Sequence, residues 1–568
     1  MAQPSRADSG PTGPQEPTGT RPEMDAILGA NPFVSLNSQQ AVRALGRWAE
    51  SLLRHPTVLA SEALLWGSDE LRILAGASPI APDPKDKRFT DSAWQGRVWG
   101  RVAQSYLATR ASLLRSVDEV GLDPKSVDRA RFALSQLTEA MAPTNSLLGN
   151  PAALKKAWRT RGRSLVDGTR HLAHDIQHNR GMPSQVDSRP FRVGETVAVT
   201  PGAVVHRGDV FELLQYQPVT AEVASLPMVV IPPQINRYWF LDMAPGRSFV
   251  EYCVNQGISV FMVSWRNPQA EHRHWNLETY AEACLEAVGI AAHIFDTEQV
   301  NVIGFCSGGM TTAGMLSALN QQGDHVVNAA GMAVSLIDTG ARSSLNMFMS
   351  EETMKSSLAR SRRNGILDGH SLGRVFSWMR PNDLVWNYWV SNYLMGQNPP
   401  AFDVLAWNAD GTNMPAGLHA DFMHIWKTNA MIAEGEIELL GSPLDLSAVK
   451  NDMYVVGAQS DHLVPWESAY AATQAFSGAV RFVLSRSGHI QALVNPPDNP
   501  KASFYLNPER PQSAREWLAD ATTVSGSWWT DWTAWILERS GQARPSRTSL
   551  GNSRYPVLDS APGRYVHE

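Results

Sequence analysis

The sequence predicts an α/β fold: a mainly parallel sheet that carries an inserted cap and follows a mainly helical N-terminal domain. Three observations predict it. Apolar residues recur at three- and four-residue spacing up to about residue 180, which is the period of amphipathic helices. From residue 203 short β-branched runs alternate with helical stretches, the pattern of a parallel sheet with crossover helices. Between residues 340 and 445 that alternation lapses into a Trp-, Met- and Asn-rich stretch too long for a simple connection.

Residues 1–25 are rich in Pro, Gly, Ser and Thr and have no apolar segment of signal-peptide type, so they are expected to be a disordered leader. The helical domain is assigned to residues 26–195, on "QQAVRALGRWAESLLR" and "WGRVAQSYLATRASLLRSV". Pro and Gly gather in "GMPSQVDSRPFRVGETVAVTPGA", and the catalytic unit is assigned to 196–568. Within it strands are expected near 203–217 (a hairpin), 227–232, 258–264, 299–304, 327–334, 452–457 and 479–485, with a helix at 277–295. The lapse at about 340–445 is assigned to a cap over the active edge of the sheet.

Charge and composition remove several classes of function. A formal charge of −6 over 568 residues gives no broad basic field for nucleic acid. Three cysteines in so long a chain cannot build a disulfide framework, and a reducing cytoplasm fits them. Apolar runs such as "GISVFMVSW" are far shorter than the roughly 20 residues of a membrane helix, so no transmembrane segment is expected. Nineteen tryptophans cluster at 386–426 and in "GSWWTDWTAW"; ordinary core packing is favoured over contact with an apolar surface.

The stretch "NVIGFCSGGM" runs from an apolar strand through Gly304-Phe305-Cys306-Ser307-Gly308 into a helical run, the form of a nucleophile elbow in an α/β-hydrolase fold. Glycines flank the nucleophile because side chains there would strike neighbouring backbone. A helix N-terminus beside Cys306 favours thiolate, and the Ser307 amide could donate to an oxyanion. A buried, inert thiol is the competing reading of this pentapeptide. In this fold an acid and then a histidine follow on loops after late strands. Asp461 in "SDHLVPW" and His489 in "SGHIQALV" stand there, in that order. Each alone could be a turn residue; jointly they favour a Cys306–Asp461–His489 triad.

His462 ranks second to His489, because adjacent side chains on extended backbone point apart. His272 and His274 in "AEHRHW" lack the further ligands of a metal site, so no metal is expected. Cys253 and Cys284, in helical contexts, are expected to be core thiols. The second oxyanion donor is sought after the third strand, in "VVIPPQINRYWF": the Ile235 amide, with Asn236 as the alternative.

A thiol that accepts an acyl group from a thioester makes another thioester, so cysteine suits coenzyme A donors. A hydroxyl acceptor would then take the acyl group downhill as an ester, whereas a cysteine hydrolase would use water with the same triad. The segments "GFCSGGM", "VVIPPQIN", "VSWRNP", "MRPNDLVWNYWVSNYL", "FDVLAWNADGTNMP", "SDHLVPW" and "SGHIQALVNPP" resemble those of single-subunit polyhydroxyalkanoate synthases, over nearly the whole chain beyond the leader. That resemblance implies polymerisation of 3-hydroxyacyl-CoA with release of CoA and no further cofactor. It implies Cys306 as acyl carrier, His489 as its base, and Asp461 as third member that also helps activate the attacking 3-hydroxyl. It further implies an active homodimer with cap contacts, a growing polyester chain, and a cytoplasmic enzyme at the granule surface with phasin-type proteins. "HNRGMPSQVD" and "SRTSLGNSRYPVLDSAPGRYVHE" resemble the medium-chain type, so a medium-chain or broad substrate range is expected, with a short-chain (3-hydroxybutyryl-CoA) synthase as the alternative.

Overall fold

The computed structural model describes residues 38–84, 86–340, 351–379 and 381–568. The expected leader, 1–25, and residues 341–350 of the expected cap lie outside the described residues.

Among the described residues six α-helices come first: α1 (Ser38–Arg54), α2 (Pro56–Ala75), α3 (Arg97–Glu119), α4 (Pro124–Ala140), α5 (Pro151–Arg159) and α6 (Arg163–His178). Pro opens α2, α4 and α5, where its missing N–H would have had no helical partner anyway. Asn150 caps α5 by accepting from the Ala152 and Ala153 amides at 3.0 and 3.1 Å. The helices bury only small apolar clusters, Phe89 with Trp94 and Ala103, and Val117 with Ala130 and Leu134. A buried Arg88, held by Asp86 at 2.7 Å and Glu139 at 2.8 Å, ties α4 to the segment before α3.

The second unit is an eleven-stranded sheet. Its strands are β1 (Gly202–Arg207), β2 (Phe211–Tyr216), β3 (Met228–Ile231), β4 (Val260–Trp265), β5 (Val300–Phe305), β6 (Val327–Ala333), β7 (Asp452–Ala458), β8 (Val480–Ser485), β9 (Ser503–Leu506), β10 (Thr522–Ser525) and β11 (Asp559–Ser560). They lie in the order β10-β9-β8-β7-β6-β5-β3-β4-β2-β1-β11. From β4 through β3 to β8 the neighbours are parallel, and both faces of β3, β4 and β5 are buried. Successive residues alternate between two cores: Val229 faces the one containing Tyr280 and Leu316, Val230 the one containing Phe249 and Trp532.

Helices α7 (Phe249–Asn255), α8 (Leu277–Phe295) and α9 (Ser307–Gln322) connect β3 to β6. Between β6 and β7 come α10 (Glu351–Asn364), α11 (Gly369–Met379), α12 (Asp403–Ala409) and α13 (Ala416–Thr428), with π-helical turns at Asn382–Trp386 and Trp389–Leu394. The chain then forms α14 (Trp466–Ala475), α15 (His489–Val494), α16 (Ala514–Ala519) and α17 (Trp528–Leu537). Every strand expected from the sequence is present; β9, β10 and β11 were not foreseen, being too short to show a period. Trp528, Trp529 and Trp532 are at most 1% exposed, so this cluster is core.

The helical unit docks on the segment between β6 and β7. Gly168 of α6 lies so close to the Trp389–Leu394 turn that a Cβ would stand 2.7 Å from the Tyr393 carbonyl carbon. Tyr393 donates its hydroxyl to the buried Asp175 at 2.8 Å, and Trp389 donates to the Asn145 carbonyl at 3.0 Å.

Candidate active site

Strand β5 ends at Phe305 and α9 begins at Ser307, leaving Cys306 as the single residue of the turn. It has φ 51° and ψ −119°, a conformation an L-residue holds only where its surroundings enforce it. Gly304 and Gly308 allow that turn: a Cβ on Gly304 would stand 2.6 Å from the Gly309 Cα, and one on Gly308 would be 2.7 Å from the Pro232 carbonyl oxygen. The strain aims a partly exposed thiol from the N-terminus of a sixteen-residue helix.

Asp461 follows β7 and His489 opens α15 after β8. His489 Nδ1 and Asp461 Oδ2 are 2.6 Å apart, with the two side chains 4% and 0% exposed. The other carboxylate oxygen, Oδ1, accepts from the Leu463 and Val464 amides at 2.8 and 3.0 Å. Asp461 is therefore both a turn cap and the partner of His489. His489 also lies near enough to Cys306 for the thiol to act on its charge, and with Nδ1 on the carboxylate, Nε2 is the nitrogen left for sulfur. Burial opposes charge on this imidazole, but Asp461, and then Cys306, overcome it and raise its pKa to about 10. Three residues separated by 155 and 28 positions thus meet at the ends of three parallel strands.

The segment after β3 reaches the same turn. The Gln234 amide donates to Ser307 Oγ at 3.3 Å, and the Gln234 side chain donates to Thr311 Oγ1 at 2.8 Å. Ile235 and Asn236 follow directly, and Ile235 is half-buried against the core. Trp265 of β4 holds the Pro232 carbonyl at 2.9 Å, while Thr412 holds the Gln234 and Ile235 carbonyls at 3.2 and 3.3 Å. Gln234, Trp265 and Thr412 carried no sequence signal, because each acts on a backbone group remote from it in the chain.

The remaining candidates sit elsewhere in the chemistry. His489, not His462, supplies the imidazole on Asp461. His272 accepts from the Gln269 amide at 2.9 Å and stacks on Trp275, a capping role. Burial pushes the Cys253 and Cys284 thiols up, and both are fully buried. Among the described residues no three His, Cys, Asp or Glu side chains gather in a group that could hold a metal ion. No helix among them is long and apolar enough to cross a membrane.

Comparison with known proteins agrees with the fold. A family model described as "alpha/beta hydrolase fold" matches residues 231–496, and one described as "Poly-beta-hydroxybutyrate polymerase (PhaC) N-terminus" matches residues 85–253. Poly(3-hydroxyalkanoate) polymerase 1 of Ectopseudomonas oleovorans is 40% identical, covering 96% of this chain and 98% of its own. The chain belongs to the poly(3-hydroxyalkanoate) polymerase family. Poly(3-hydroxyalkanoate) polymerase 2 of the same organism is 42% identical over 94% of this chain and 96% of its own. The poly(3-hydroxyalkanoate) polymerase subunit PhaC of Cupriavidus necator is 39% identical over 85% of this chain and 83% of its own. Membership in this polymerase family makes the chain an enzyme of the acyltransferase type, built on an α/β-hydrolase fold.

Proposed function

We propose that the protein polymerises (R)-3-hydroxyacyl-CoA into polyhydroxyalkanoate, releasing CoA, through an acyl thioester on Cys306. The observation that carries this reading is the gathering of the strained Cys306 with His489 and Asp461, whose Oδ2 lies 2.6 Å from His489, at the ends of three parallel strands. His489 accepts the thiol proton, and its raised pKa favours the imidazolium that pairs with a thiolate. Sγ attacks the thioester carbonyl, a C–Sγ bond forms, the bond to the CoA sulfur breaks, and the imidazolium returns a proton to that sulfur. The 3-hydroxyl of another unit then attacks the acyl-cysteine. Its proton passes to His489, an ester C–O bond forms, and the C–Sγ bond breaks. Ser307 and Ile235 amides are assigned to the oxyanion of both steps.

Asp461 helps to activate the 3-hydroxyl through the imidazole, since Oδ1 already accepts two amides and Oδ2 holds Nδ1. No cofactor enters beyond the CoA of the substrate. A medium-chain or broad acyl range is the working assignment, with 3-hydroxybutyryl-CoA as the alternative. The enzyme is placed in the cytoplasm at the granule surface, as a homodimer with phasin-type neighbours. The exposed leucines of α2, Leu64, Leu71 and Leu74, support an apolar contact of that kind.

The test is to supply the purified protein with 3-hydroxyacyl-CoA of several chain lengths and follow CoA and polymer together. Polymer formed in step with CoA is expected; CoA accompanied by free hydroxy acid would replace the polymerase reading with a cysteine hydrolase.

A further inference from the structure

A cleft of about 510 Å³ opens where the end of α6 and the segment after it meet α11 and the end of α12. Its lining is one-sided in charge. It includes Arg180, Arg374, His174, His178 and His370, and no Asp or Glu, in a chain whose formal charge is −6. Arg360 lies close enough to Arg374 to act on it electrostatically. Asp368 caps α11, accepting from the Ser371 amide at 3.0 Å and its hydroxyl at 2.6 Å, and also acts electrostatically on Arg180 and Arg374, while Asp175 lies 3.4 Å from His174 Nδ1. The Nε of Arg374 is buried and has no hydrogen-bond partner. Burial first, and then Arg180, push the Arg374 pKa down. Arg180, Arg360 and Arg374 share the single carboxylate of Asp368 around a half-buried space, and such an excess of positive charge costs free energy unless a further anion joins it.

The place of the cleft says which anion. Its wall at Asn408–Gly411 runs on into Thr412, and Asn236 pairs with Gly411. Thr412 holds the Gln234 and Ile235 carbonyls, and the Gln234 amide reaches Ser307 beside Cys306. Two short backbone segments therefore separate the basic cleft from the thiol turn. Coenzyme A has the matching anatomy: a thiol, a long uncharged pantetheine arm, and a diphosphate and a 3′-phosphate on adenosine.

We propose that this cleft, formed jointly by the helical N-terminal unit and the cap, binds the adenosine phosphates of the coenzyme A substrate, with Arg374 and Arg180 as their ligands. This rests on the acyl-CoA reading given above. His174 and His178, stacked with centroids 4.5 Å apart at the rim, offer an aromatic face to the purine. The thioester carbonyl and the 3-hydroxyl of the substrate play no part here. The cleft grips the portion of the substrate that leaves, so it strengthens binding without touching the reacting atoms.

The test compares wild type with Arg374→Gln and Arg180→Gln on two substrates, a 3-hydroxyacyl-CoA and the same acyl group on pantetheine. The ratio of kcat/KM for the CoA substrate over the pantetheine substrate is expected to fall at least 10-fold in each variant, with the loss in KM. The melting temperature of Arg374→Gln is expected to hold or rise, because a charge is removed from among like charges. An unchanged ratio in both variants overturns the proposal, as does a loss equal for both substrates. Calorimetry with adenosine 3′,5′-bisphosphate and with inorganic phosphate tests the cleft without turnover. Wild type is expected to bind the bisphosphate, Arg374→Gln at least 10-fold more weakly, and phosphate alone far less well than the bisphosphate. Equal affinity of the two proteins, or phosphate binding as tight as the bisphosphate, overturns it. Bisphosphate binding by a protein that makes no polymer would leave the site standing and remove the polymerase reading instead.

Discussion

Cys306, His489 and Asp461 each answer to a different constraint, and their variants separate accordingly. Cys306→Ala should abolish both CoA release and polymer, since no other thiol is placed at the turn. Asp461→Asn presents an amide to Nδ1 and loses the charge that stabilises the imidazolium. Chain growth should slow by roughly 10²–10⁴, and acylation, measured as a first-turnover release of CoA, should suffer less. Uninterrupted chain growth in that variant would remove the carboxylate from the mechanism. The histidine also links stability to pH. Its folded pKa of about 10 lies above the ordinary 6.5, so the folded state holds the proton more tightly than the unfolded chain. The stabilisation is complete below pH 6.5 and is lost as pH rises through about 10. Wild-type melting temperature should therefore decline more steeply from pH 7 to 10 than that of His489→Gln; parallel profiles would contradict it.

At the scale of elements, the site is held by close approaches that leave no room for side chains. Gly308→Ala should destabilise the fold by about 1–3 kcal/mol and displace the turn, because its Cβ meets the carbonyls at the end of β3. A drop in melting temperature together with loss of Cys306 alkylation is the expected result. On the other face of the sheet, Gly331 of β6 makes space for Trp532 of α17, whose ring would lie 2.8 Å from any Cβ there. Trp532→Ala should cost about 3–5 kcal/mol, read from thermal or urea unfolding, as the ring is fully buried. The strands and crossover helices were legible because each buries both faces or one stripe, which writes a period into the sequence. The strands β9 to β11 left no such mark. β9 is set by pairing with β8, β10 by pairing with β9, and β11 by pairing with β1.

For the whole molecule the decisive feature is the seat of the helical unit on the cap. Its own apolar clusters are small, and several of its polar contacts go to residues 378–400. Replacing Gly168 by Val should force α6 off the Trp389–Leu394 turn. Faster hydrogen exchange across residues 389–398 is expected, with weaker use of the CoA substrate; protection equal to wild type would show that the contact is dispensable. The same seat creates the basic cleft, since Arg180 comes from the segment after α6 and Arg374 from α11.

The sequence by itself determined the α/β architecture, the elbow at Cys306, and the order in which Asp461 and His489 follow it. It could do so because a strand period, a pair of obligatory glycines and a residue after a strand end are all local features. For Ile235 the only local mark is its distance along the chain from β3. Tertiary structure alone decided that Asp461 spends both oxygens, that Thr412 and Trp265 brace the segment beside the thiol, and that Arg180 and Arg374 face one space. Those facts depend on groups brought together from distant parts of the chain, and no local pattern records such a meeting.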